Sequence, residues 1–188
     1  MKGISLFLAL FSFSAVASAI PVNVLYEELK ESGAHYEVIG MVCEKVAIIE
    51  LAKVYPAKDF EIVNGISYGD GQRTIGELDV VIFDRRSNDA VLVGEVKCWK
   101  SFSGGRSKAM DQRRRFQSHI NKRIEMVDGD HKQYNSRQFR NVQKFVAISQ
   151  KGGRAAGFDL ELENSLNELM DLRGQLMKCQ DQGRCPRH

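Results

Sequence analysis

Residues 75–84 read IGELDVVIFD and residues 90–99 read AVLVGEVKCW. Nearly every position is apolar, the pattern of strands buried on both faces. The polar segment RRSND between them reads as a hairpin loop. Asp79 interrupts LDVVIF in the first run, and Glu95 and Lys97 interrupt VLVGEVKCW in the second. A charge in a buried strand costs several kcal/mol unless it is paired. Glu95 and Lys97 are two positions apart, so both leave one face of their strand. If the hairpin brings Asp79 beside them, two carboxylates and an amine converge.

The flanking segments supply a frame for that hairpin. Residues 23–32 (NVLYEELKES) predict a short helix stopped by Gly33. A second helix is expected from about Gly40 to Val54, with Val42, Val46, Ile49 and Val54 on its apolar face and Pro56 after it. Residues 60–68 (FEIVNGISY) suggest a strand, followed by turn chemistry around Asp70. Residues 107–127 read as a basic helix and 143–149 (QKFVAIS) as another buried strand. Gly152 and Gly153 turn the chain into a last helix at about 160–178, with Leu162, Leu166, Leu169 and Leu176 in register. The expectation is an α/β fold: a central mixed sheet of four strands flanked by helices.

The N-terminus has a different character. Lys2 precedes an apolar stretch from Ile4 to about Phe13, and small residues end at Ala17-Ser18-Ala19. That order is a secretory signal peptide with cleavage after Ala19, and the stretch is shorter than the roughly 20 residues a membrane span needs. The expected organisation is a signal peptide over 1–19 and one domain over 20–188. Export to the periplasm or outside the cell follows, with no membrane attachment after cleavage. The remainder is ordinary globular composition: 43% hydrophobic, 27% charged, and 27 Lys+Arg against 24 Asp+Glu. That excludes a disordered or collagen-like chain.

Four cysteines, Cys43, Cys98, Cys179 and Cys185, suit disulfides in an exported protein and allow three pairings. Cys179 and Cys185 flank QDQGR and could close a small loop; Cys43 with Cys98 would then tie an early helix to a central strand. The spacing leaves the pairing open. No C-x-x-C pair or Cys/His cluster speaks for zinc.

Carboxylates grouped this way suit a divalent cation, because magnesium takes one or two carboxylates, with water and substrate phosphate completing its shell. Asp79, then Glu95-Val96-Lys97, on consecutive strands between two helices resembles the PD-(D/E)xK nuclease superfamily, the restriction-endonuclease-like proteins. Leu78 stands where that pattern has proline. The resemblance spans roughly residues 40–150 and implies a core in the order αβββαβ. It also implies Mg2+ or Mn2+ held by Asp79, Glu95 and the Val96 carbonyl, with Lys97 serving the attacking water. A glutamate of the first core helix often joins such sites, and Glu44 matches it; Glu50 is a weaker candidate. Gln112 is followed four positions on by Phe116 rather than by the tyrosine of exonuclease-like branches.

Segment 106–123 carries seven Lys/Arg and one Asp, a run suited to phosphate contacts. Lys100, Arg106, Lys108, Arg113, Arg114 and Arg115 are the nucleic-acid candidates, and Trp99 and Phe102 could stack on a base. The function expected is an exported metal-dependent endonuclease with little sequence specificity. DNA is favoured over RNA, and an inhibitor protein is a conceivable partner. The alternative is a secreted module that binds nucleic acid or protein without catalysis, its charged cluster being a salt bridge.

Overall fold

The computed structural model describes residues 20–122 and 124–187. The signal segment expected over 1–19, and Arg123 of the basic run, lie outside them. Helices α1 (Val22–Leu29) and α2 (Met41–Val54) precede strands β1 (Phe60–Gly69), β2 (Thr74–Asp84) and β3 (Ala90–Val96). Helix α3 (Phe102–His119) leads to β4 (Glu125–Val127), β5 (Gln133–Tyr134), β6 (Lys144–Ser149), β7 (Leu160–Glu161) and helix α4 (Leu166–Asp181). The strands form one sheet ordered β5-β4-β1-β2-β3-β6-β7. Strands β1, β2 and β3 are antiparallel neighbours, whereas β6 runs parallel to both β3 and β7.

The fold is therefore α/β with a mixed sheet flanked by helices, but the sheet has seven strands rather than four. The extra three lie at its margins. Residues 125–127 were expected in the basic helix; instead Glu125, Met126 and Val127 pair with Gly69, Tyr68 and Ser67. Met126 thereby enters a core of Ile66, Phe83, Phe116 and Phe139, so burial overrides local helical propensity. Strand β5 extends that edge through Met126↔Tyr134. Strand β7 adds to the other edge, with Ile148 against Leu160.

Two apolar layers cover the sheet. On one side α1, α2 and α4 pack Leu25, Val46, Leu169, Leu172 and Leu176 onto Val80 and Ile82. Those three leucines of α4 are fully buried, each contributing roughly 1.5–3 kcal/mol. On the other side α3 contributes Phe116, which meets Tyr68 and Phe139 edge-on. Three expectations change. Val54, the last residue of α2, is 71% exposed, and Leu51 is the buried residue of that turn instead. Helix α4 starts at Ser165, not at 160, through a capping box between Ser165 and Glu168. Helix α3 starts earlier, where the Ser101 side chain accepts from Gly104 N.

Two disulfides are formed, Cys43–Cys98 and Cys179–Cys185. No helix among the described residues is long and apolar enough to cross a membrane. The two disulfides are consistent with an exported protein.

Candidate active site

Asp79 sits one residue beyond the registered pair Val80↔Gly94, opposite Glu95 and its neighbours. The backbone gives it an unusual setting. In β1 the pairs run Asn64↔Val80 and Ile66↔Leu78, and Gly65 between them has a left-handed φ of +73°. A Cβ there would meet only the movable end of the Glu77 side chain, so it is the left-handed backbone that calls for glycine.

Asp79 is 7% exposed. Its Oδ2 accepts from Val96 N at 2.7 Å and from Lys97 Nζ at 2.6 Å. Lys97 Nζ also donates to the Val96 carbonyl at 3.0 Å and lies 3.6 Å from Glu95 Oε2. One ammonium thus touches the Asp79 carboxylate and the Val96 carbonyl and neighbours the Glu95 carboxylate. These are the oxygens that the resemblance assigns to a metal. Glu95 is 3% exposed, and neither of its carboxylate oxygens has a hydrogen-bond partner. Burial, then the charge of Asp79, push its carboxyl up to about 8 against the pull of Lys97.

Glu44 joins the cluster through Asn64. The Asn64 amide donates to Glu44 Oε2 at 3.1 Å and to the Asp79 backbone carbonyl at 2.9 Å. Burial and then Asp79 raise the Glu44 carboxyl to about 7, with the Asn64 hydrogen bond opposing them. Glu50, six residues on, faces elsewhere: it accepts from Glu163 N at 3.0 Å.

Glu77 and Asn64 were not singled out from the sequence. Glu77 lies two positions before Asp79 on β2, hence on the same face, and partial desolvation followed by Asp79 raises its carboxyl. The period-two argument that pairs Glu95 with Lys97 reaches Glu77 equally well. Asn64 had no such signal, being a single polar residue in a strand. Tyr68 also borders the cluster; burial and then the Glu95 charge push its hydroxyl up to about 12, which keeps it neutral.

A cleft of about 760 Å³ opens over this group, lined by Glu44, Val96, Lys97, Trp99, Lys100 and Lys108 among others. Asp79 and Glu95 do not line it; Asp79 is linked to it through the hydrogen bond from Lys97. Gln112 reaches the cleft wall with its Oε1 buried and unpartnered, while Phe116 is core. The basic candidates separate. Lys100 and Lys108 face the cleft. Arg106 is tied to the Gly157 carbonyl at 2.8 Å, and Arg114 pairs with Asp111. Arg113 turns inward, its guanidinium 5.1 Å from the Phe145 ring centre. Arg115 is exposed on the same helix. Trp99 is 44% exposed at the mouth, and Phe102 packs edge-on to Phe158.

The donor set suits a hard divalent cation: carboxylate oxygens of Asp79, Glu95 and Glu44 with one carbonyl. The orphaned oxygens of Glu95 fit the same need. Among the described residues, however, no three His, Cys, Asp or Glu side chains stand close enough together to form a ready metal group. Lys97 holds the central position between them. No family model, no curated protein and no solved structure matches this chain.

Proposed function

We propose that the chain is an exported, metal-dependent nuclease of the restriction-endonuclease-like type, hydrolysing phosphodiester bonds with little sequence preference. The observation that carries this reading is the contact set of Lys97 Nζ: Asp79 Oδ2 at 2.6 Å, the Val96 carbonyl at 3.0 Å and Glu95 Oε2 at 3.6 Å. Strands that could have been wholly apolar spend burial on two carboxylates and an amine beside an open cleft. Perturbed acids beside a cleft are a functional-site signature.

Asp79, Glu95, the Val96 carbonyl and Glu44 would hold Mg2+ or Mn2+. Such an ion polarises a phosphoryl oxygen and acidifies a bound water. Lys97, which lines the cleft, would orient the attacking water. Asn64 keeps Glu44 and the Asp79 backbone in fixed relation. Lys100 and Lys108 neutralise backbone phosphates on the cleft wall without reading bases. The superfamily resemblance favours DNA over RNA, and the two disulfides suit action outside the cytoplasm.

The test is cleavage of supercoiled plasmid and of a structured RNA with magnesium, with manganese and with chelator, beside Glu95→Ala and Lys97→Ala. Metal-dependent cleavage lost in both variants is expected. Full activity in Lys97→Ala overturns the mechanism.

One observation favours a second reading. Lys97 already neutralises Asp79, and no ready metal group exists among the described residues, as in a binding module with a structural ion pair. Calorimetry decides between them: the nuclease binds magnesium or manganese and loses that binding in Glu95→Gln, and the module binds neither.

A further inference from the structure

Ile20 follows the small residues Ala17-Ser18-Ala19, and the fold holds it firmly. Its backbone N donates to Glu163 Oε2 at 3.0 Å, and its carbonyl accepts from Asn164 Nδ2 at 3.2 Å. Its side chain packs, partly buried, against the layer formed by α1, α2 and α4. The receiving loop between β7 and α4 is itself anchored, Glu163 N to Glu50 at 3.0 Å and Lys151 N to the Asn164 carbonyl at 2.9 Å.

That loop offers more than a backbone amide uses. Asn164 is 2% exposed, and its Oδ1 has no hydrogen-bond partner. A buried unpaired acceptor costs about 1–3 kcal/mol. The Glu163 side chain is 18% exposed, with Lys53 at 3.6 Å as its one paired cation among the described residues. Glu50 stands beside it, raised to about 7 by burial first and with the Glu163 charge adding. An amide N–H brings no charge to these carboxylates and has nothing left for Asn164.

We propose that Glu163 and Asn164 form a receptor for a free α-ammonium on Ile20, so that hydrolysis of the Ala19–Ile20 bond during export completes the mature fold. Water divides across the peptide bond: its hydroxyl goes to the Ala19 carbonyl carbon and its proton to the Ile20 nitrogen. A second proton from solvent makes the ammonium. One N–H keeps the Glu163 contact, now charge-assisted, and two further N–H groups become available beside Asn164, whose Nδ2 already reaches the Ile20 carbonyl and whose Oδ1 lacks a donor. Lys151, Arg154 and Glu161 line the same hollow as Glu50, Lys53 and Glu163, but among the described residues Glu163 is the one that accepts from the Ile20 nitrogen. The receptor shares no residue with the nuclease site and stands independently of that reading.

The experiment exports four full-length chains through a bacterial secretory route and sequences each N-terminus. They are the natural chain, Glu163→Gln, a chain with one threonine inserted between Ala19 and Ile20, and the two changes combined. The natural product is expected to begin at Ile20. Each single change should lower the melting temperature by roughly 2–4 °C, the scale of one partly buried ion pair in a chain of this size. The combined chain should melt no lower than the worse single one, because both remove one interaction. A different N-terminus, an unchanged melting temperature in the threonine chain, or simply additive losses overturns the proposal. Should Glu163→Gln fail to fold, the threonine chain alone decides.

Discussion

Cys43 and Cys98 are joined by a disulfide with their Cα atoms 6.3 Å apart, and the chain neighbours of these two half-cystines are Glu44 and Lys97. The bond therefore clamps helix α2 to the residue leaving β3 at the point where the candidate site is assembled. Closing a loop of 55 residues restricts the unfolded chain by about 4 kcal/mol, against about 2 kcal/mol for the six-residue separation of Cys179 and Cys185.

Removing the two bridges should thus have different consequences. Cys43→Ser with Cys98→Ser is expected to abolish metal-dependent cleavage even below its own melting temperature. Cys179→Ser with Cys185→Ser should lose stability and keep activity. Plasmid cleavage at several temperatures, beside circular dichroism, checks this; equal activity of the two double variants contradicts it.

Glu95→Gln should trade activity for stability. The folded carboxyl stands near 8, above the ordinary value of about 4.3 in an unfolded chain. Its contribution to stability is full below pH 4 and fades as pH rises through 8, since the ionised carboxylate is buried, lies next to Asp79, and is only partly offset by Lys97 at 3.6 Å. The glutamine variant escapes that loss. In chelator it should melt several degrees above the natural chain at pH 9 and no higher at pH 4, while cleaving nothing.

Asn64 touches no expected substrate, so it acts as a positioning residue. Asn64→Ala frees Glu44 and the Asp79 carbonyl from each other. Loss of such an outer contact typically costs 10–100-fold in metal affinity. Manganese titration by calorimetry should show that drop with near-wild-type melting, and Asn64→Asp should not restore it, because it sets a carboxylate against Glu44.

The basic residues should separate by salt dependence. Lys108→Ala is expected to weaken DNA binding across sequences and reduce the slope of log affinity against log salt by about one. Arg113→Ala, whose guanidinium packs on Phe145, should leave that slope unchanged and lower stability instead. Fluorescence anisotropy over a salt series reads both.

Much of the central hairpin was legible because its signals are local. Alternation and apolar runs delimit β2 and β3, and charges at Asp79, Glu95 and Lys97 stand out against them. The edge strands were not legible, because Glu125–Val127 and Leu160–Glu161 become strands only by pairing with residues far away in sequence. The start of α4 was available in Ser165 and Glu168, a capping pattern that the leucine spacing obscured. Glu77 was within reach of the period-two argument, whereas Asn64 and the inward turn of Arg113 depend on tertiary neighbours.

The sheet's two outermost strands, Gln133–Tyr134 and Leu160–Glu161, are two residues each, while the strands of ten, eleven and seven residues are all interior. A long bare margin invites another chain to add itself as the next strand, the first step towards fibrils. Here the two terminal strands offer only a couple of backbone groups each, so the longer template is the flank of β1 over Phe60–Ile66, which β4 leaves uncovered by pairing only with Ser67, Tyr68 and Gly69. Strand addition by another chain is therefore expected along β1, not at the two ends of the sheet.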